Sequence, residues 1–379
     1  MKEALLAQQV AAGAAVRRAD AVSFLGELAE LDAPSGDIAL LDATAQVLEA
    51  RLTALGLAVE RVGGPAGAHL EARSSGEGPA IVVLGHYDTV WSRGTARERP
   101  FRVQDGVAHG PGVFDMRGGI VAALTALAVL RDIDALDRPV TVLLTADEET
   151  GSVTSRRHIV RVGREARAVL IPEPPMLGGG LKTQRKGVLS YALRLTGRSA
   201  HAGLDPERGV SAISELVALV GDVERAAAPG EGTTVNVGVI AGGTRSNVVA
   251  AAASAEVDVR VATVAEYERV TAFFEGLRAR LPGASLEVEL LHSRPPLERT
   301  PAIAEAVGRA QEVAALLGID LGEGAAGGGS DGNFLAPLGV AVLDGLGPDG
   351  GGAHALDEHV LVDSLEQRIA LIALLVALL

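Results

Sequence analysis

Residues 81–90 read Ile-Val-Val-Leu-Gly-His-Tyr-Asp-Thr-Val, and the rest of the chain is best understood from this stretch. Its first four residues and the preceding Ala80 form an apolar run, residues 80–84, that is rich in β-branched side chains. Such a run is typical of a strand buried on both faces of a sheet. His86 and Asp88 follow two residues apart, so an extended backbone would direct both side chains to one face. This pattern fits a metal ligand whose second ring nitrogen is held by a carboxylate, but a hydrogen-bonded surface histidine also gives it.

Three further apolar runs lead into a histidine or a carboxylate. Residues 140–144 precede the acidic triplet 147–149, residues 168–171 precede Glu173, and residues 339–343 precede a glycine-rich loop that contains His354. Three consecutive carboxylates after a buried strand repel one another unless a cation or a proton compensates. A solvated acidic loop is the alternative interpretation of the triplet.

A glycine-rich segment, residues 110–119, precedes the apolar helix predicted for residues 120–130 and contains Asp115. The glycines indicate close backbone approach rather than phosphate binding, because the spacing lacks a nucleotide fingerprint. Asp115 at the mouth of a helix is a candidate metal ligand, and an ordinary N-cap is the alternative.

The alternation of apolar strands with helical stretches predicts an α/β fold. We expect a mixed, mostly parallel sheet flanked by helices, with ligands bound at the carboxyl ends of the strands. Between Glu173 and His354 the pattern changes to β-α-β-β-α-β, with helices expected at residues 209–227 and 267–281. This order predicts a ferredoxin-like α+β insertion. The predicted domains are therefore 1–181 with 293–379, and the inserted 182–292.

Composition narrows the class of protein. The 379 residues include 34 basic and 48 acidic side chains, which give a net charge of -14. This charge argues against nucleic acid or an anionic membrane as the partner. The chain has no cysteine, so thiolate ligands and disulfides are excluded. No signal peptide or transmembrane segment is evident, and we expect a cytoplasmic protein.

Five candidate ligands carry nitrogen or oxygen donors, and together they make a coherent two-metal hydrolase site. Each of two metals would receive a histidine and a terminal carboxylate, and one carboxylate would be shared. Imidazole and carboxylate without sulfur suit Zn²⁺, with Mn²⁺ or Co²⁺ as possible substitutes. The candidates are His86, Asp115, Glu149, Glu173 and His354.

Motifs along nearly the whole chain resemble the di-zinc metallopeptidase family of glutamate carboxypeptidase, acetylornithine deacetylase, succinyl-diaminopimelate desuccinylase and aminoacylase. The outer motifs are G-H-Y-D-T-V at 85–90, G-P-G-V-F-D-M-R-G-G at 110–119, A-D-E-E-T-G at 146–151, P-E-P at 172–174 and G-G-A-H-A-L-D-E at 351–358. The insertion adds G-R-S-A-H-A-G at 197–203, S-N-V-V-A at 246–250 and V-D-V-R at 257–260. The resemblance implies a zinc-exopeptidase-like catalytic domain with an inserted lid and dimerisation domain.

The resemblance also implies how the ligands are shared between two Zn²⁺ ions per subunit. It assigns His86 and Glu173 to one zinc ion. It assigns Glu149 and His354 to the other, with Asp115 bridging both. A glutamate at position 173 favours a carboxypeptidase or deacylase over aminopeptidase relatives, in which aspartate is usual.

Other roles follow from the same resemblance. Asp88 would orient His86, Glu148 would be the general base, and the peptide bond between Asp115 and Met116 would be cis. These roles agree with the chemistry of the residues, because a carboxylate beside two metals can take a proton from the attacking water and pass it to the leaving amine.

The insertion and a later loop of the outer domain supply the remaining implied site residues. His201 would donate a hydrogen bond to the oxyanion from the partner subunit, and Arg260 and Asn247 would contact the terminal carboxylate of the substrate. Gly329 and Ser330 belong to a loop that closes the pocket. The alternatives are an exposed turn histidine, a plain strand-surface arginine and, for the loop, a helix N-cap by Ser330 or Asp331, which is compatible with closing the pocket.

The sequence therefore predicts a metal-dependent hydrolase that cleaves the amide bond of a C-terminal or N-acylated amino acid, most like glutamate carboxypeptidase. The alternatives are an N-acyl-amino-acid deacylase of the acetylornithine or succinyl-diaminopimelate type, and a catalytically silent homologue that serves as a binding protein. The expected partners are a peptide or N-acyl amino acid and a second copy of the chain, paired through the inserted domain.

Overall fold

The computed structural model describes all 379 residues. The chain forms nine α-helices, which are α1 Lys2–Ala29, α2 Ile38–Ala54, α3 Thr95–Glu98, α4 Gly118–Asp132, α5 Arg156–Arg164, α6 Ala212–Glu224, α7 Val264–Gly276, α8 Pro301–Ala315 and α9 Val362–Leu378. The strands are β1 Ala58–Gly64, β2 Gly67–Arg73, β3 Ile81–His86, β4 Arg102–Gln104, β5 Val107–His109, β6 Val140–Thr145, β7 Ala168–Ile171, β8 Leu181–Arg185, β9 Gly187–Thr196, β10 Thr234–Gly242, β11 Ala252–Val261, β12 Ser285–Arg294, β13 Glu323–Ala326, β14 Val342–Asp344, β15 Gly350–Gly351 and β16 His359–Leu361.

Two compact units make up the chain. The outer unit comprises Met1–Gln184, Arg299–Ala326 and Ser330–Leu379, and the inserted unit comprises Arg185–Glu298 and Gly327–Gly329. The chain therefore leaves the outer unit at the end of β8 and returns to it after β12, apart from Gly327–Gly329.

A six-stranded sheet in the order β1-β2-β6-β3-β7-β14 forms the centre of the outer unit. Strand β3 pairs in parallel with β6 and with β7, and β14 pairs in parallel with β7. Strands β1 and β2 form an antiparallel edge. Every residue of β3, β6, β7 and β14 is buried, as expected for apolar strands covered on both faces. The predicted α/β fold class is confirmed.

Helices α1, α4 and α9 pack against one another in the outer unit. Helix α4 is buried from Gly118 to Leu130, because its side chains are apolar on every face. The segment Val113–Asp132 is long and apolar enough to cross a membrane by composition, but 89% of its most apolar window is buried inside the protein. It therefore has the surroundings of a core helix.

The inserted unit contains one antiparallel sheet in the order β10-β11-β9-β12, and helices α6 and α7 cover it. This is the predicted β-α-β-β-α-β arrangement. Alternate residues of β9 and β11 point into its core, where the Tyr191 and Phe274 rings stack with centroids 3.9 Å apart. The aromatic stack and the aliphatic side chains around it fix the helices on one face of the sheet.

Three elements have boundaries that differ from those predicted from the sequence. The helix predicted at residues 209–227 spans Ala212–Glu224, where the Ser211 hydroxyl caps it. Helix α7 begins at Val264, because the Thr263 hydroxyl accepts a hydrogen bond from the Glu266 amide and caps it. It ends at Gly276, since Leu277 is extended, so residues 277–281 are not helical. The fourth strand begins at Val342 rather than at residue 339, where glycine has a φ angle of 73°.

Candidate metal centre

The parallel strands bring three acidic or imidazole side chains to one edge of the outer sheet. His86 is the last residue of β3, Glu149 lies in a short turn after β6, and Glu173 is the second residue after β7. The carboxyl ends of parallel strands lie on the same edge, so side chains distant in sequence meet there. Asp115 precedes α4, and His354 lies in the loop between β15 and β16.

Asp115 lies between two histidine–glutamate pairs. Its Oδ1 atom is 3.3 Å from His86 Nε2, which is 3.6 Å from Glu173 Oε1. Its Oδ2 atom is 3.3 Å from His354 Nε2, which is 3.3 Å from Glu149 Oε1. One carboxylate thus presents one oxygen to each pair, and the structure brings together all five side chains that the sequence nominates as ligands.

These separations suit ligands of metal ions. Two ligand atoms at the usual zinc distances of about 2.0–2.2 Å, in tetrahedral directions, are about 3.3–3.6 Å apart. Single ligand atoms of His86, Asp115 and Glu149 all lie within 4.8 Å of one another. The site therefore fits a divalent cation in donor type and in spacing.

The electrostatics of the cluster also favour a cation. Burial raises the pKa of Glu149 to about 7, although His354 opposes the shift. Hydrogen bonds to Asp115 and Glu149 raise the pKa of His354 to about 10. Burial opposes protonation of His86, but the surrounding carboxylates outweigh it and raise the pKa well above its ordinary value. Without a metal, the protein must hold protons here to offset the negative charge.

Asp88 contacts both His86 and the acidic turn. His86 Nδ1 lies 3.0 Å from the Asp88 main-chain oxygen and 3.4 Å from its Oδ1 atom. The carboxylate accepts hydrogen bonds from the backbone amides of Glu148 and Glu149, each at 3.2 Å, and from the Ser35 hydroxyl at 2.7 Å. The main-chain oxygen is thus the nearer contact of the imidazole, and the carboxylate mainly holds the turn that carries Glu148 and Glu149.

The Asp115–Met116 peptide bond is cis, as the resemblance implies. Asp115 does not cap α4, because that helix has no side-chain cap. The Met116 Sδ atom accepts a hydrogen bond from the His86 amide at 3.3 Å. The residue after Asp115 therefore packs directly on the strand end that carries His86.

Two buried acidic residues near the cluster had no predicted role in it. Glu358 lies four residues after His354 and accepts hydrogen bonds from backbone amides that include that of Asp115. Asp331 accepts hydrogen bonds from the hydroxyls of Ser152 and Thr145. Glu358 belongs to the 351–358 motif, but its hydrogen-bond partners lie more than 240 residues earlier in the chain, so the motif alone does not predict them.

In the inserted unit, His201 and Asn247 lie close together. The Ala202 amide donates to the Asn247 carbonyl at 3.0 Å, and both site side chains are exposed. His201 Nδ1 accepts hydrogen bonds from the amides of Gly203 and Leu204 at 3.1 and 3.2 Å. Because Nδ1 is an acceptor, neutral His201 carries its proton on Nε2.

Arg260 lies at the other end of the same sheet. Its guanidinium makes two hydrogen bonds to the Asp258 carboxylate, at 2.8 and 3.0 Å. His201 pairs with Val248, next to Asn247, beyond the Ala252 end of β11, and Arg260 is next to last in that strand. At about 3.3 Å per residue, this places Arg260 about 25 Å or more from His201 within one chain.

The loop residues Gly329 and Ser330 differ in their surroundings. The Ser330 side chain is buried; its hydroxyl accepts from the Gly332 amide at 3.2 Å and donates to Asp344 Oδ2 at 2.5 Å. Ser330 therefore caps the short helix that follows, the alternative the sequence also offered. The Gly329 carbonyl accepts a hydrogen bond from Arg185 at 3.2 Å.

An α/β sheet whose carboxyl edge carries two histidine–glutamate pairs, with an aspartate between them, is typical of metal-dependent hydrolases. The model of Peptidase family M20/M25/M40 matches residues 82–378. The chain belongs to this family, and it is a metal-binding hydrolase of amide bonds.

Curated relatives cover most of the chain. Carboxypeptidase G2 from Pseudomonas sp. (strain RS-16) is 30% identical over 368 residues, which are 94% of this chain and 88% of that protein. A succinyl-diaminopimelate desuccinylase from Thioalkalivibrio sulfidiphilus (strain HL-EbGR7) is 29% identical over 351 residues, covering 85% of this chain and 89% of that one.

Solved structures share the fold at lower identity. A tripeptidase from Staphylococcus aureus subsp. aureus mu50 superposes with a TM-score of 0.76 at 21% identity, over 95% of this chain and 98% of that chain. An M20 family metallo-carboxypeptidase from Sulfolobus solfataricus superposes with a TM-score of 0.71 at 17% identity, over 94% of this chain and 98% of that chain.

Proposed function

We propose that the chain is a carboxypeptidase-type amidohydrolase that releases an amino acid from a C-terminal or N-acylated position, most like a glutamate carboxypeptidase. The observation that carries the proposal is Asp115, which offers one oxygen to each of two histidine–glutamate pairs. The relative with 30% identity, carboxypeptidase G2, supports the carboxypeptidase assignment.

The proposed cofactors are two Zn²⁺ ions per subunit, for which Co²⁺ or Mn²⁺ can substitute. His86 and Glu173 would hold one ion, His354 and Glu149 the other, and Asp115 would bridge them. Imidazole nitrogen and carboxylate oxygen without sulfur support this choice of metals. When bound, such ions acidify the attacking water and polarise the scissile carbonyl.

Glu148 is the proposed general base. It lies beside Glu149 in the same short turn, and Asp88 holds the backbone of both residues through the amides. From this position its carboxylate takes a proton from the attacking water and delivers it to the leaving amine. Asp88 contributes by fixing the turn and the ring of His86.

His201 is the proposed oxyanion donor. Its Nδ1 atom is occupied by two backbone amides, so its Nε2–H is the group left to donate to developing negative charge. Arg260 and Asn247 are proposed to contact the substrate carboxylate, with Gly329 in the loop that closes the pocket. Because Asn247 lies beside His201 and far from Arg260, Asn247 and Arg260 would reach that carboxylate from different subunits. Ser330 is not among these residues, because its hydroxyl is buried and bonded to Asp344.

The spacing within the inserted unit supports a homodimer. His201 and Arg260 lie about 25 Å or more apart in one chain, which exceeds the reach of one small substrate. If both contact one substrate, they come from different subunits. This supports the proposal that His201 acts in trans, in the site of the partner subunit.

An apolar surface on the inserted unit is the proposed dimer contact. Val217 on α6 is 68% exposed and Ile240 on β10 is 59% exposed, and β10 is an edge strand whose backbone can pair with a second copy. Val217→Glu should produce monomers in sedimentation experiments. Val103→Glu, at a residue of the outer unit that is 46% exposed, is the matched control and should leave assembly unchanged. A wild-type protein that is active while strictly monomeric would contradict the dimer.

The substrate class is tested by amino-acid release from a panel. Peptides ending in glutamate, N-acyl glutamates, N-acetylornithine and N-succinyl-diaminopimelate distinguish the carboxypeptidase from the deacylase alternative. Each is assayed in metal-free protein, after Zn²⁺ addition, and in Glu148→Gln. We expect release only with metal and wild-type Glu148. Metal-loaded wild type that releases no amino acid from any substrate would favour the silent homologue. The cytoplasmic location stays a prediction.

A further inference from the structure

Glu358 is a buried carboxylate whose two oxygens each receive two hydrogen bonds. The side chain is 1% exposed. Its Oε2 atom accepts from the Gly112 amide at 2.7 Å and from the Trp91 indole at 2.9 Å. Its Oε1 atom accepts from the amides of Phe114 and Asp115 at 3.0 and 3.1 Å. Four N–H donors converge on one carboxylate, which satisfies the strongest acceptor sites of both oxygens.

These partners belong to the segments that carry three of the ligands. Gly112, Phe114 and Asp115 precede α4, and Trp91 follows His86 by five residues. Glu358 itself ends a tight turn that begins after His354. In that turn the Glu358 amide donates to the Ala355 carbonyl at 3.2 Å. The Glu358 carboxylate therefore joins the loop of the bridging aspartate to the loops of both histidines.

We propose that Glu358 is a positioning residue that sets the bridging geometry of Asp115 and thereby the affinity of the centre for its metals. The inference rests on the proposed metal centre and assigns to it a residue that contacts neither metal nor substrate. The backbone amide of Asp115 is held directly, so movement of this anchor moves the bridging carboxylate. Metal–ligand distances in a well-formed site lie within about 0.2 Å of their usual values, so a displaced carboxylate would hold the metals less well.

The acceptor must be a carboxylate of this length. Glutamine offers one acceptor oxygen and an NH₂ group, so two of the four N–H donors would face another donor. Aspartate keeps both oxygens but is shorter by one methylene, and it cannot reach all four donors from the same backbone. Glu358→Gln is therefore the sharp test, and Glu358→Asp is a milder second variant.

A matched control lies in the inserted unit. Glu215 is fully buried, and its carboxylate accepts from the backbone amides of Arg280 and Leu281 at 2.6 and 2.9 Å. Glu215→Gln thus damages a buried carboxylate that anchors backbone amides but has no contact with the ligand cluster. Both glutamine variants should lower the melting temperature of the metal-free protein.

The experiment measures Zn²⁺ affinity of each full-length protein by competition with a chromophoric chelator, with thermal unfolding of the metal-free form beside it. We expect Glu358→Gln to bind Zn²⁺ about 10–100-fold more weakly and Glu358→Asp to lie between it and wild type. Glu215→Gln should bind Zn²⁺ as wild type does. This difference separates positioning from general destabilisation.

The two possible failures can be distinguished. Wild type that binds no stoichiometric Zn²⁺ would refute the proposed metal centre. Wild type that binds two ions, with unchanged affinity in both Glu358 variants, would overturn the inference and leave the metal centre intact. If Glu358→Gln does not fold, Glu358→Asp decides, and wild-type affinity in that variant would equally overturn the role of Glu358.

Discussion

Metal binding should displace protons from the ligand cluster, and the structure gives their number. In the metal-free protein the pKa of His354 is about 10 and that of His86 is raised well above its ordinary value, so both imidazoles are protonated near pH 7. Glu149, with a pKa of about 7, is close to half protonated. Imidazole and carboxylate bind a metal only when deprotonated. Filling both positions near pH 7 should therefore release between two and three protons.

Calorimetry of Zn²⁺ binding in buffers of different ionisation enthalpy counts these protons. With two to three protons released, the combined affinity for both ions should rise about 100- to 1000-fold for each pH unit between pH 6 and 8, before any competition from hydroxide. His354→Gln removes one titrating ligand and should lower the count by about one. Affinity that is independent of pH, with no proton release in wild type, would refute the proposed state of the metal-free cluster.

The stability of the metal-free protein provides a second check. The contribution of these groups to the free energy of unfolding should fall as the pH rises, whereas the metal affinity should rise. The folded-state pKa of His354 is raised to about 10, so its stabilising contribution is complete below about pH 6.5 and is lost as the pH rises towards 10. The pKa of Glu149 is raised to about 7, so its contribution is lost between about pH 4.5 and 7. Denaturant unfolding without metal should therefore show that these two groups stabilise the protein less as the pH rises. A contribution that grows with pH would contradict the assigned shifts.

Three substitutions test other parts of the structure. Glu148→Gln should lower kcat about 10²–10⁴-fold with unchanged Zn²⁺ stoichiometry, and normal kcat would exclude Glu148 as the base. Asp258→Asn removes the carboxylate that now occupies Arg260, so KM for substrates with a free carboxylate should fall; a raised or unchanged KM counts against Arg260. Gly119→Ala places a Cβ atom 1.7 Å from a backbone oxygen and should destabilise the fold by about 3 kcal/mol, whereas Gly221→Ala, with no atom nearer than 3.6 Å, should not; equal melting temperatures would contradict this.

The sheet was predictable because its signal is local. The side chains of a continuous apolar run such as residues 80–84 are removed from water only when the strand is buried on both faces. Parallel strands buried in this way have their carboxyl ends at the same edge of the sheet. The order of the side chains that follow each run then nominates the ligands. Burial confirms the strands, and the five nominated ligands converge.

Other features depend on partners far away in the sequence and were not predictable. Arg260 was nominated from a four-residue motif, but its guanidinium is engaged by Asp258 within that same motif. Helix α7 ends early because Leu277 is extended, and Glu215, more than sixty residues earlier, accepts from the amides just beyond it. A periodic pattern of apolar residues contains no information about such distant acceptors.

The carboxylates around the cluster have two different roles. Some present oxygens to the histidines, and one, that of Asp88, binds backbone amides. Asp115, Glu149 and Glu173 present oxygens to the histidines, and without a cation the protein must hold protons there to offset the negative charge. The carboxylate of Asp88 accepts hydrogen bonds from the amides of Glu148 and Glu149, which form a short turn rather than a regular helix. Backbone N–H groups in such turns lack intrahelical acceptors, so a buried carboxylate satisfies them and holds the turn at the same time. The carboxylate of Asp88 therefore holds the backbone of Glu148 and Glu149, while the Glu149 side chain contacts His354. The first member of the triplet, Asp147, is held separately, because its carboxylate accepts hydrogen bonds from Thr154 and Ser155.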